Sequence, residues 1–182
     1  MNKIFEKLTN QLTETIDSSV ALALHNKNQE VEVIHLLWAL LSNTNSVLNQ
    51  LLNKMNVNKV AVELEAKSYA SKLPSVSSVT KESIKLSRNL LSSLQSAEGL
   101  MASFGDKFIA VDTWLISNLD SSVIKDVLGK YVDLKEAKKE LEAMRAGKTI
   151  DSNSGDENLE ALNKYGIDLN KKAIDGLLDP VI

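Results

Sequence analysis

Apolar residues recur at Ile4, Leu8, Leu12, Ile16, Val20 and Leu24, one every four positions. That spacing draws a single buried stripe along a helix. Thr9, Thr13 and Asp17 start off the stripe, and the pattern predicts a helix from about Thr9 to Lys27. The stretch from Val33 to Ser42 is apolar on nearly all sides, which predicts a short central helix. Ser46 can cap a helix ending near Lys54, and Asn58 can cap another running to Lys72. Pro74 stops it, because proline disfavours helix in the residue before it. A second stripe follows at Leu86, Leu90, Leu94, Ala97, Met101 and Phe104, with Thr80 as N-cap, Glu82 in the first turn and Gly105 as terminator. Asp112 opens a helix to about Leu119, and Ser121 or Ser122 opens one to Lys130. Asp133-Leu-Lys-Glu136 resembles a capping box and starts a helix to Ala146, ended by Gly147.

The order long, short, short, medium therefore occurs twice. At an offset of 77, Val31 falls on Phe108, Ile34 on Val111, His35 on Asp112, Leu37 on Trp114 and Trp38 on Leu115. The fold class expected is all-α, a tandem pseudo-two-fold repeat of four-helix units spanning 1–147, with halves of about 1–73 and 80–147 joined by Ser75–Val79. A duplication leaves a cleft between its halves, and clefts bind ligands.

The character changes after Gly147. Residues 148–156 are polar and turn-rich, which reads as a flexible linker. Asp156 can cap a short helix carrying Leu159 and Leu162, and a last amphipathic stretch ends at Ile182. This short helical tail cannot bury its apolar residues alone, so 157–182 reads as the opening of a truncated further domain.

Composition narrows the partners. The chain has 182 residues, 43% of them hydrophobic, and a net charge of −3 with the signs interspersed. Without a basic face, nucleic acid is not an expected partner. No stretch approaches the roughly 18 apolar residues of a membrane span, so a membrane is not expected either. The absence of cysteine removes disulfides and thiolate metal sites, and suits a reducing compartment.

Catalytic constellations are missing. The closest approach to a phosphate loop, Gly99 to Gly105-Asp-Lys-Phe108, has the wrong spacing and lacks the hydroxyl that reaches magnesium. The two histidines, His25 and His35, have no carboxylate at metal-ligand spacing, so neither a metal nor a catalytic residue is expected. His35 and Asp112 each sit near a helix start, where satisfying free backbone N–H groups explains a polar residue. Trp38 and Trp114 lie in apolar helices and read as core. The charges from Lys135 to Glu142 read as a solvated helix face.

Four segments nonetheless form a recognisable set: Leu8-Thr-Asn-Gln-Leu12, Ile34-His-Leu-Leu-Trp-Ala-Leu-Leu41, Gly105-Asp-Lys-Phe-Ile109, and Lys164-Tyr-Gly-Ile-Asp-Leu169 with Leu178-Asp-Pro-Val-Ile182. Together they resemble the N-terminal double repeat of the Clp chaperone family and the entry to its first AAA+ module. The resemblance covers the whole chain. The opening Leu-Thr-Asn and the wording of the tail resemble the ClpB disaggregases more than ClpA or ClpC.

The resemblance implies a mobile domain that catches exposed segments of unfolded or aggregated polypeptides for a homohexameric ring. That ring uses ATP and magnesium and cooperates with a DnaK-type chaperone system in the cytoplasm. The fragment itself would be monomeric and would carry no cofactor. In the family an apolar groove between the repeats is associated with capture. By motif position its residues fall on Thr9, Leu94, Asp106, Asp112 and Thr113. Thr113 stands where relatives often carry leucine, and Asp112 where glutamate is common. The alternative is an adaptor-docking domain of a protease-coupled unfoldase of the ClpA or ClpC kind.

Overall fold

The computed structural model describes residues 3–156. The tail expected at 157–182 lies outside the described residues. Eight helices follow a short 3-10 turn: α1 (Asn10–His25), α2 (Val33–Ser42), α3 (Val47–Lys54), α4 (Lys59–Ser71), α5 (Arg88–Phe104), α6 (Val111–Asn118), α7 (Ser122–Val127) and α8 (Leu134–Arg145). Local chemistry accounts for most of their starts. Thr9, Ser46, Asn58, Ser87 and Asp133 each accept a hydrogen bond from a backbone N–H of the first turn they cap. The caps at Ser46, Asn58 and Asp133 are those expected from the sequence. α2 has nine of its ten residues buried, and it packs against α1, α3 and α4 of its own repeat and α7 of the other. Trp114 is fully buried and donates its Nε1–H to Ser93 Oγ at 2.9 Å, so both tryptophans belong to the core.

The second long helix starts later than its stripe suggests. Thr80 and Ser83 hydrogen-bond each other in a local turn instead of opening a helix. The next residues, β2 (Lys85–Leu86), pair in parallel with β1 (Glu30–Val31). Ser87 then caps α5, and its N–H donates to the Val31 carbonyl at 2.9 Å. Extended pairing with the other repeat thus displaces seven residues of expected helix.

This pairing sets the true register of the duplication. Leu8 pairs with Ile109 as Leu86 pairs with Val31, and Thr9 N–H donates to the Ile109 carbonyl as Ser87 N–H does to Val31. Leu8 and Leu86 lie 78 positions apart, as do Thr9 and Ser87, and Val31 and Ile109. The offset is therefore 78 over the first two helices, not 77. It is 75 between the caps Ser46 and Ser121, and between Asn58 and Asp133. His35 corresponds to Thr113, and Ile34 to Asp112. Each repeat lends its leading segment to the other, so neither half is self-contained.

Candidate functional site

Near the end of each long helix the chain reverses through one residue with positive φ, Lys27 at 56° and its counterpart Gly105 at 74°. The next residue, Asn28 or Asp106, sends its N–H back to the helix, and its side chain enters a buried polar cluster. In the second repeat the cluster is charged. Arg145, the last residue of α8, lies among Asp106, Asp112 and Thr113, and all four side chains are buried. Its Nε and Nη2 donate to the two oxygens of Asp112 at 2.9 and 2.6 Å. Its Nη1 donates to both oxygens of Asp106 at 2.8 and 2.7 Å, and Nη2 also reaches Thr113 Oγ1 at 3.0 Å. The guanidinium lies 5.0 Å from the centre of the Phe104 ring. Burial alone would disfavour the charged arginine. The hydrogen bonds and charges of Asp112 and Asp106 outweigh it and hold the Arg145 pKa above its ordinary value.

Residues 148–156, expected as a linker, run along this cluster and are held to it. Ile150 is buried against Ala110 and Phe108, and its N–H donates to Asp106 Oδ1 at 2.8 Å. Its carbonyl accepts from Lys107 N–H at 2.8 Å, and the Asn153 carbonyl accepts from Asn10 N–H at 2.7 Å. A Cβ on Gly155 would stand 2.8 Å from Ile150 Cγ2, so the close fold of this strap requires glycine there. Asp156 closes the strap. Its Oδ2 accepts from Thr9 Oγ1 at 2.7 Å and from Val111 N–H at 3.4 Å, while Oδ1 is buried with no partner among the described residues. Burial pushes the Asp156 carboxyl up to about 6, and the bond from Thr9 opposes that rise.

The first repeat fills the matching space without charge. His35 lies in the first turn of α2, where its Nδ1 accepts from Glu32 N–H at 2.8 Å. That bond leaves the proton on Nε2, which donates to Asn28 Oδ1 at 2.9 Å. Asn28 passes a further bond to the Pro74 carbonyl at 3.1 Å. Burial lowers the His35 pKa to about 4, so the ring is neutral at neutral pH.

The structure therefore gathers Asp106, Asp112 and Thr113 around Arg145, and joins Thr9 to the same region through Asp156. Leu94 sits apart, fully buried in the core. None of the five expected site residues presents an exposed side chain. A crevice of about 130 Å³ where α1 approaches Val111 is largely polar, with Gln11, Thr15, Ser18 and Asn43 on its walls. Sequence reasoning missed Arg145 and the role of Asp156. A signal for Arg145 existed: it continues the spacing of four set by the buried Ala137 and Leu141. Among the described residues no group of three His, Asp or Glu side chains could hold a metal ion, and no helix is long and apolar enough to cross a membrane.

Comparison with known proteins matches this architecture. Residues 7–131 match the model of the Clp repeat (R) N-terminal domain. The chaperone protein ClpB of Wolinella succinogenes is 56% identical over 178 residues, which cover 98% of this chain and 21% of that protein. ClpB of Helicobacter hepaticus is 52% identical over 179 residues, with 98% and 21% covered. The chain thus spans about a fifth of the length of these relatives. Among solved structures, the N-terminal domain of Hsp104 from Candida albicans superposes with a TM-score of 0.74 at 22% identity, covering 82% of this chain and 99% of that one. A ClpV N-domain in complex with a VipB peptide superposes with a TM-score of 0.61 at 18% identity, covering 80% and 91%. The chain belongs to the Clp repeat (R) N-terminal domain family.

Proposed function

We propose that this domain captures exposed segments of unfolded or aggregated polypeptides for an ATP-dependent disaggregase. The parent protein would be a cytoplasmic homohexamer that uses ATP and magnesium and works with a DnaK-type system, as the match to ClpB suggests. The observation that carries the reading is the strap. The surface built by Thr9, Asp106, Lys107 and Ala110 already holds a polypeptide segment, one from the same chain. It offers Asp106 to a main-chain N–H, the N–H groups of Asn10 and Lys107 to main-chain carbonyls, and an apolar seat to one aliphatic side chain. Main-chain bonds carry no sequence preference, which suits a domain that must accept many clients. A client segment would displace the strap and reuse its bonds. Asp112 and Thr113 would act from beneath, by fixing Arg145 and through it Asp106. Leu94 would support the packing of α5 below the same face.

The test is a titration of the chain with a permanently unfolded model protein, read by amide NMR shifts. Weak binding is expected, centred on Thr9, Lys107 and Ile150. Thr9→Ala and Asp112→Ala should each weaken the protein's hold on the client. Unchanged binding in both variants would remove the site assignment. Binding of a folded adaptor with no response to unfolded protein would instead favour the adaptor-docking alternative.

A further inference from the structure

Once the register of the duplication is known, one surface stands out as belonging to a single repeat. A groove of about 500 Å³ opens between the end of α5, the end of α6, α7 and the start of α8. Its floor is apolar, made by Leu100, Ile116, Leu119 and Leu134. Its rim carries Lys125, Lys135 and Lys138 against a single acid, Asp120. All three lysines are exposed, and none has a carboxylate within ion-pair distance among the described residues. Their neighbours behave differently: Lys130 pairs with Glu65 and Lys139 with Glu136.

The matching positions of the first repeat carry other chemistry. Trp38 stands where Ile116 lines the groove, and it is nearly buried. Ser42 and Glu63 stand for Asp120 and Lys138, and Ser42 Oγ donates to Glu63 Oε2 at 3.0 Å. Gln50 and Val60 stand for Lys125 and Lys135, so none of the three rim cations has a counterpart. An indole is far larger than a sec-butyl group, and its replacement by Ile116 opens space between the helices. Three cations ring that space, with Asp120 as the single acid on its rim.

We infer that this second-repeat groove docks a polypeptide segment whose apolar side chains are flanked by acidic ones. The floor takes the apolar residues, and the lysine stems extend that floor while their ammonium groups meet the carboxylates. The unpaired cations favour such a segment over one with basic flanks, chiefly through steering and rejection of the wrong partner. This surface is separate from the strap region, so its occupancy does not depend on release of Asp156.

Fluorescence anisotropy with two labelled peptides tests this directly. Both carry the same leucine pair; one flanks it with aspartate and glutamate, the other with lysine. The acidic peptide should bind the intact chain at least about tenfold more tightly, and the difference should shrink as salt rises. Reversing three exposed charges, with Lys125→Glu, Lys135→Glu and Lys138→Glu together, should invert the preference without disturbing the fold. Ile116→Trp should abolish the preference for the acidic peptide, whereas Lys67→Glu, an exposed position on α4 away from both regions, should leave it unchanged. Equal affinity for the two peptides, or a charge-reversed protein that still prefers the acidic one, would overturn the inference. Loss of binding in Thr9→Ala would assign the peptide to the strap region instead.

Discussion

The two repeats solve one structural problem with different chemistry. In both, a residue after the long helix must be held beside the start of the central helix. The first repeat uses a large residue on the central helix, His35, opposite a small one on the last helix, Ala70. The second reverses the sizes, with Thr113 on the central helix and Arg145 on the last. Asn28 becomes Asp106 in step, so a neutral amide–imidazole pair is replaced by an arginine shared between two carboxylates. The polar atom also changes direction. Asn28 donates to the carbonyl of Pro74, a residue with no N–H, while Asp106 accepts from the N–H of Ile150. Matching backbones thus accommodate a neutral cluster and a charged one, and only the charged one holds a strap closed by a buried acid.

The largest effect that could break this comparison is removal of the shared cation. Arg145→Ala leaves Asp106 and Asp112 buried without compensation, and should cost about 3–5 kcal/mol in chemical denaturation. Arg145→Lys should recover only part of that, because one ammonium cannot bond two carboxylates in the fork geometry. A loss below about 1 kcal/mol in Arg145→Ala would mean that the cluster is not what holds α8 to α6.

Acid should weaken the first repeat's cluster. The His35 pKa is lowered to about 4 in the fold, against an ordinary 6.5, so the unfolded chain takes the proton first. Stability therefore falls as pH drops from 6.5 through about 4, by about 3 kcal/mol in total. His35→Gln should flatten that part of the stability profile measured between pH 7 and 4. The strap has the opposite slope. With Asp156 raised to about 6, docking is weakest above pH 6 and strengthens as pH falls towards 4. At pH 7, Asp156→Asn should protect the Ile150–Gly155 amides against hydrogen exchange by about tenfold more than the natural residue does. Greater protection of the natural strap at pH 7 than at pH 5, after correction for intrinsic rates, would reverse this reading.

The smallest effect concerns the paired reversals. Gly105→Ala should cost about 1 kcal/mol through its positive φ alone, since an added Cβ meets nothing closer than Thr149 at 3.8 Å. Lys27→Gly, at the equivalent position, should stabilise the fold slightly in chemical denaturation, by a few tenths to about 1 kcal/mol. A loss of stability in Lys27→Gly like that in Gly105→Ala would argue that the repeats hold their reversals by different means.

Much of the fold was legible along the chain. The stripes, the caps at Ser46, Asn58 and Asp133 and the terminator Gly105 are local signals, and the helices follow them. The start of α5 was not legible, because pairing with Glu30–Val31 competes with helix over residues 80–86. The site was legible only through resemblance. Four of its five expected residues do gather in one region, but as buried partners of Arg145 and Asp156 and not as an exposed groove. A charged residue at the end of a charge-rich helix looks like surface until its partners are known.

By itself the sequence determined the all-α class, the double repeat and most helix boundaries, since these depend on periodicity and on side chains bonding the nearest turn. The tertiary structure alone decided the exchange of leading segments, the offset of 78, the sharing of Arg145 and the docking of residues 148–156. Those features join residues 33 to 147 positions apart, such as Arg145 with Asp112 and Asp156 with Thr9. No local pattern encodes such pairs, because their free energy arises only when folding removes both partners from water together.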